Sequence, residues 1–476
     1  MLKNMVLLHS HLFTSSPPSF YLNTSSSSSK VSPPVTVRIA KNKPQLCTAD
    51  ELHYVPVSSS DWKLALWRYL PSPMSQPKNH PLLLLSGVGT NAIGFDLSPE
   101  SSFARFMSRH GFDTWILEFR GAGLSALGMD SDEAQDENIG TVSRSKKSVS
   151  KLSEALLHLF EGLSGLFEGQ NSAISIQIKD FARTFVNIIE EGQQAAKPHF
   201  FDFPERFSTA LDDFLKQLEL LVKYDWDFDH YLEEDLPAAM EYIRAQSNPK
   251  DGKLLAVGHS MGGMLLYAML SRCAFEGRDS RLTSIVTLAS SLDFRPSKSS
   301  LKLLLPVAKP AKTLNFPIIP VGALVAAARP YSSRPPNVLP WLNSQISAPG
   351  MMHPQLFEKL VAKNFCTIPA KLLLQLKTVF EDGGFRSRDG TFSYKEHLGK
   401  SNIPVLAIAG DHDLICPPEA VYETVKVIPK HLVNYRVFGE PKGPHYAHYD
   451  LVGSHMAQYQ VHPFIIDFLN HHDVHD

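Results

Sequence analysis

Ser260 is the residue in this chain of 476 whose setting most directly suggests covalent chemistry. It stands in Gly258-His259-Ser260-Met261-Gly262, after the apolar run Leu254–Val257 and before an apolar run of helical length. The pattern reads as strand, sharp turn and helix. Glycines on either side let the backbone turn tightly and let helix and strand approach closely, so the hydroxyl is pushed out at the top of a sheet as a nucleophile elbow. A serine hydroxyl is a poor nucleophile until a base takes its proton, and that base needs an acid to orient it. Both partners are available downstream. Gly410-Asp411-His412-Asp413 follows the apolar run Ile403–Ala409 and offers two carboxylates. His445-Tyr446-Ala447-His448 follows the run Leu432–Phe438 and offers two imidazoles. The chain order is therefore Ser, Asp, His, each on a loop where parallel strands end.

The elements that must position these loops can be read along the chain. His53–Val57 and Lys63–Tyr69 are β-rich and read as an opening antiparallel hairpin. Leu82–Leu85 reads as a buried parallel strand ending in Ser86-Gly87-Val88-Gly89. A helix over about 102–110 leads to a strand over 112–119 that ends in Arg120-Gly121, which is βαβ logic. Tyr231–Ala245 supplies the helix before the elbow, and Ser284–Ala289 another buried strand. Helices over Pro417–Val427 and Val461–Asn470 flank the last strand. The expected class is α/β, a mostly parallel central sheet flanked by helices.

Two regions interrupt this pattern. From Gly128 to about Tyr224 the apolar period becomes helical, as in Val149, Leu152, Leu156, Phe160, and three amphipathic helices are expected as an insertion over about 130–224. Their polar faces carry mixed charge, so packing on the core or on another subunit outweighs membrane contact. A second non-sheet region over about 295–400 is read as a cap. Within it Leu301–Ala328 is very apolar. Its longest charge-free run, Thr313–Ala328, is 16 residues with two prolines, short of the roughly 20 that a membrane-spanning helix needs.

Residues 1–49 hold no Asp or Glu, five Lys or Arg and the serine run Ser25–Ser29. That composition cannot build a core and has the character of an organelle transit peptide, plastid more than mitochondrial, with a disordered tail on a cytoplasmic protein as the alternative. The folded chain is expected over 50–476. A formal net charge of −2 and a pI of about 6.9 supply no field that favours nucleic acid. Cys47, Cys273, Cys366 and Cys416 are too scattered for a metal cluster or a disulfide framework. No cofactor or metal is expected. The His471-His472-Asp473-Val474-His475 tail has ligand-like spacing but is read as a frayed, solvated end.

On these motifs the chain resembles the α/β-hydrolase superfamily, in particular its acid-lipase-like and plant or bacterial carboxylesterase-like branches. The resemblance runs from Leu52 to Leu469 without the two insertions. It covers the Ser60-Asp61-Trp62 hairpin, the Arg120-Gly121 turn, the helix start at Asp235-Leu236-Pro237-Ala238, the elbow, the G-x-x-D-x-x-x-P acid loop and the H-x-D-L-x-x-G histidine loop. It implies Asp413 over Asp411 and His448 over His445, with Asp411 and His445 as runners-up. It also implies an oxyanion hole from the backbone N–H groups of Val88 and Met261. The chain departs from the His-Gly common in lipases by carrying Ser86-Gly87, which leaves open how that loop is held. The implied activity is hydrolysis of a hydrophobic or lipid-like carboxylic ester through an acyl-enzyme on Ser260. An acyltransferase with the same triad and a non-catalytic ligand-binding homologue are the alternatives.

Overall fold

A computed structural model of the protein describes residues 43–128, 224–302 and 343–474 with their side chains, and the backbone also of 38–39, 303–304, 318–320 and 340–342. The three helices expected over 130–224 and most of Leu301–Ala328 lie outside the described residues. One compact unit runs from Val37 to Asp476.

Its frame is a ten-stranded sheet in the order β1-β2-β3-β5-β4-β7-β8-β11-β12, with β6 paired to β3. The strands are β1 (Arg38–Ile39), β2 (Glu51–Pro56), β3 (Trp62–Tyr69), β4 (Leu82–Leu85), β5 (Thr114–Glu118), β6 (Ala126–Leu127), β7 (Leu254–His259), β8 (Leu282–Leu288), β11 (Val405–Gly410) and β12 (Val433–Phe438). From β5 to β12 every pairing is parallel, whereas β1, β2, β3 and β6 pair antiparallel, which is the expected opening hairpin. Burial follows position. Every residue of β4, β7 and β11 is buried, because helices cover both faces of a parallel sheet, whereas β12 at the edge alternates between half-buried and exposed.

Three expectations need correction. The folded chain begins before Asp50: Cys47 and Ala49 are buried, and the Thr48 hydroxyl bonds the buried Asp96 carboxylate at 3.0 Å. The region over 295–400 is not free of strands, since β9 (Ile318–Pro320) and β10 (Thr367–Pro369) form a separate antiparallel ribbon. The C-terminal tail is docked rather than frayed. The closing helix, His462–His472, delivers Asp473 to Asn79 and His80, whose amides donate to its carboxylate at 3.0 and 2.9 Å. The His80 ring lies 2.9 Å from the same carboxylate and 3.1 Å from Asp251. Burial alone would lower the His80 pKa, but the two carboxylates outweigh it and raise it.

The expected helix over Tyr231–Ala245 starts with a turn of π-helix, Tyr231–Asp235, before regular helix over Leu236–Ser247. The wider turn presents Asp235 to Arg120 at the end of β5. Its carboxylate accepts from Arg120 Nε at 2.8 Å and from the Arg120 amide at 3.0 Å, both groups buried. This pair fixes the turn that follows β5.

The elbow is tightly packed against backbone. The helix after it, Met261–Glu276, crosses so close to β4 that a Cβ on Gly262 would sit 2.1 Å from the Leu85 carbonyl oxygen, and one on Gly258 would sit 2.4 Å from the Gly263 nitrogen. Both obstacles are backbone and cannot swing aside. Gly262→Ala should therefore lower unfolding stability by about 1–3 kcal/mol through overpacking, read by urea denaturation. A variant as stable as the wild type would show that the helix can slide away from β4.

Candidate active site

Ser260 directly follows β7 with φ 54° and ψ −119°, a left-handed backbone that a non-glycine residue adopts only when its surroundings enforce it. The enforcement is visible. The Ser260 amide donates to Leu288 O of β8 at 2.8 Å, and the Ser290 hydroxyl donates to Ser260 O at 2.8 Å. A serine preceding a helix usually caps it by accepting from the second or third amide. Here the hydroxyl makes no cap bond, and the side chain is half-buried beside Gly87 of the oxyanion loop. Geometry thus withholds the hydroxyl from structural work.

The two acids and two histidines sort themselves into two pairs. Asp413 Oδ2 lies 2.8 Å from His448 Nδ1, and both side chains are almost fully buried. Asp413 Oδ1 accepts from the Ile415 and Cys416 amides at 2.9 and 2.8 Å, so the carboxylate is held as an acceptor on both oxygens. Asp411 Oδ2 lies 2.6 Å from His445 Nδ1, and this second pair is partly exposed. Of the two, it is the His448 pair that meets the elbow. The His259 ring packs 4.7 Å from the His448 ring, and His259 Nε2 donates to the His448 carbonyl at 2.9 Å. His259 itself has its pKa pulled down to about 3, by burial first and the neighbouring His448 second, so it stays neutral.

The oxyanion loop after β4 answers the question raised by Ser86. The Thr90 hydroxyl donates to Gly87 O at 2.9 Å, the Asn91 amide to Asn364 O at 3.1 Å, and the Cys366 amide to Gly89 O at 2.7 Å. Asn91 Nδ2 adds a bond to Lys363 O at 2.8 Å. Backbone contacts to residues 363–366 therefore hold the loop where another chain would use a histidine side chain. Val88 follows Gly87 in this loop, and Met261 begins the elbow helix, whose first amides have no partner within the helix. A small cavity is bordered by Ser86, Gly87, Thr90, His259 and Tyr449.

Asp450 has a role that sequence reasoning did not assign, although it stands in the histidine-loop motif. Its buried carboxylate accepts from the Ala447 amide at 2.8 Å, the Ala348 amide at 2.7 Å and the Ser347 hydroxyl at 2.5 Å. It thereby ties the residue preceding His448 to a segment of the expected cap. Residues 363–366 gave no sequence signal, because backbone bonding to a distant loop is independent of side-chain type.

A family model for the α/β-hydrolase fold matches residues 80–450, and the chain belongs to that family. No curated protein matches it in sequence. Among solved structures it is similar to a soluble variant of monoglyceride lipase from Saccharomyces cerevisiae, at 12% identity and TM-score 0.46, covering 91% of this chain and 99% of that one. It is also similar to a thermophilic esterase from Thermogutta terrifontis, at 13% identity and TM-score 0.44, covering 89% and 99%. A third is proline iminopeptidase from Mycobacterium smegmatis, at 15% identity and TM-score 0.41, covering 89% and 98%. Among the described residues no helix is long and apolar enough to cross a membrane.

Asp450 also makes a pH prediction. Burial pushes its pKa up to about 6, with the Asp413 charge adding to the rise and its three hydrogen bonds opposing it. A carboxyl whose folded pKa lies above its unfolded value stabilises the fold fully below the unfolded value, and that contribution is lost as pH rises through the folded one. The window is therefore about pH 4 to 6, and the loss is about 3 kcal/mol at most. Denaturant unfolding of wild type and Asp450→Asn at both ends of the window should show the wild type losing stability relative to the variant as pH rises. An unchanged difference would mean that Asp450 titrates normally.

Proposed function

We propose that the chain is a serine hydrolase of carboxylic esters, of the acid-lipase-like or carboxylesterase-like kind, acting through an acyl-enzyme on Ser260. The observation that carries this reading is the buried Asp413–His448 pair packed on His259, the residue before a strained serine whose hydroxyl makes no cap bond. His448 engages Asp413 through Nδ1, which leaves Nε2 to take the Ser260 proton. Ser260 Oγ then attacks the ester carbonyl, and negative charge develops on the carbonyl oxygen. The amides of Val88 and Met261 stabilise that charge, while Asp413 stabilises the imidazolium. His448 returns the proton to the leaving alcohol. Water, activated by the same nitrogen, releases the acid and frees Ser260.

The apolar character of Leu301–Ala328 supports a hydrophobic or lipid-like ester as substrate. The acid-free, serine-rich start of the chain supports delivery to a plastid.

Turnover of a chromogenic ester and labelling by a fluorophosphonate probe test the assignment. Ser260→Ala should abolish labelling and lower turnover on the order of 10⁶-fold. Asp413→Asn should lower it by roughly 10⁴-fold, through loss of histidine orientation and charge stabilisation. His448→Ala should lose far more than His445→Ala, and Asp413→Asn far more than Asp411→Asn. Larger losses at Asp411 and His445 would transfer the catalytic role to the exposed pair, and labelling that survives Ser260→Ala would remove the serine from the mechanism. An acceptor alcohol that diverts most of the acyl group from water would make the enzyme an acyltransferase.

A further inference from the structure

The second Asp–His pair is not used by this mechanism, and it has a third member. The His412 ring stacks on the His445 ring, with centroids 3.9 Å apart and planes 5° from parallel. His412 Nε2 lies 3.9 Å from Asp411 Oδ2, and His445 Nδ1 lies 2.6 Å from that same oxygen. One donor atom from each of the three residues falls within 4.8 Å of the others. We propose that Asp411, His412 and His445 form a binding site for a late first-row divalent cation of the zinc class, bridging the acid loop and the histidine loop.

The donor set selects the ion. Two imidazoles and one carboxylate suit zinc, copper or nickel, and disfavour magnesium and calcium, which prefer oxygen. An ion bound at about 2.0–2.2 Å by tetrahedral ligands holds its donors roughly 3.3 Å apart. The two distances to Asp411 Oδ2 bracket that separation. The necessary movement is available, because His412 is half exposed and can turn out of the stack. Asp411, by contrast, is fixed. Its Oδ1 accepts from the Tyr446 amide at 2.9 Å, and Gly439, with φ 140°, lies so close that a Cβ there would overlap the carboxylate. The immovable ligand therefore already has the second-shell bond that orients ligating carboxylates. Three protein ligands leave one position for water.

The position gives the ion a consequence. Asp411 and His412 directly precede Asp413, and His445 precedes His448 by three residues, so the ion would span the same two loops as the Asp413–His448 hydrogen bond. Occupancy would cross-link those loops at the edge of the sheet and stiffen the spacing between acid and base. This inference does not depend on the ester-hydrolase reading, and it is tested without activity.

The test uses the chelator-treated full chain titrated with Co²⁺, followed by visible absorption, and with Zn²⁺, followed by thermal unfolding. One Co²⁺ should bind per chain with a visible ligand-field spectrum, and saturating Zn²⁺ should raise Tm by a few degrees, roughly 3 °C or more. His412→Ala, at an exposed position, and His445→Ala should each abolish the spectrum and the Tm rise. A His471→Ala/His472→Ala variant should retain both. Binding that survives His412→Ala and His445→Ala, or that disappears with the tail histidines, would overturn the site, as would the lack of any Tm rise in the wild type.

Discussion

The contact of Gly262 with the Leu85 carbonyl is the constraint on which the site depends. It brings the helix that follows Ser260 against β4, the strand that launches the oxyanion loop. With helix and strand that close, the chain has a single residue in which to reverse from β7 into the helix, and Ser260 takes the left-handed backbone that results. The same closeness sets Gly87 against the Ser260 side chain. Ser260 and the loop after β4 are thus brought together by one packing distance, to which the Ser290 and Thr90 hydroxyls add hydrogen bonds.

Around this contact, burial separates two chemically similar Asp–His pairs. Asp413 and His448 lie in a dry setting, where a hydrogen bond is electrostatically stronger than in water. Asp411 and His445 are partly exposed, where the same bond has less influence. His259 completes the difference. Because burial keeps it neutral, it contributes a hydrogen-bond donor behind His448 without placing a positive charge there.

The sheet was legible in the sequence wherever burial on both faces forces largely apolar runs, as in β4, β7 and β11. The elbow was legible because its glycines answer a steric demand that no other residue meets. The preference for Asp413 over Asp411 and for His448 over His445 came from the resemblance, since spacing of two or three residues cannot by itself show which side chain turns inward. Less was legible where backbone alone carries the interaction. Residues 363–366 hold the oxyanion loop through carbonyls and amides that any sequence would offer. The start of the fold was misjudged because Cys47 and Ala49 are two small buried residues in a segment whose composition otherwise resembles a leader. Strands β9 and β10, three residues each, are too short to establish a period.

The docking of Asp473 onto His80 has a consequence for the order in which the protein can be completed. These residues are 393 positions apart in the chain, yet the later one fastens the segment that enters β4, beside the centre of the sheet. A ribosome delivers the hairpin, β4 and the elbow well before the closing helix. Domains that emerge in this way hold partly assembled apolar surface in the interval. For this chain the interval spans the synthesis of the 393 residues that separate the two partners, so β4 remains unfastened at its start until Asp473 is made.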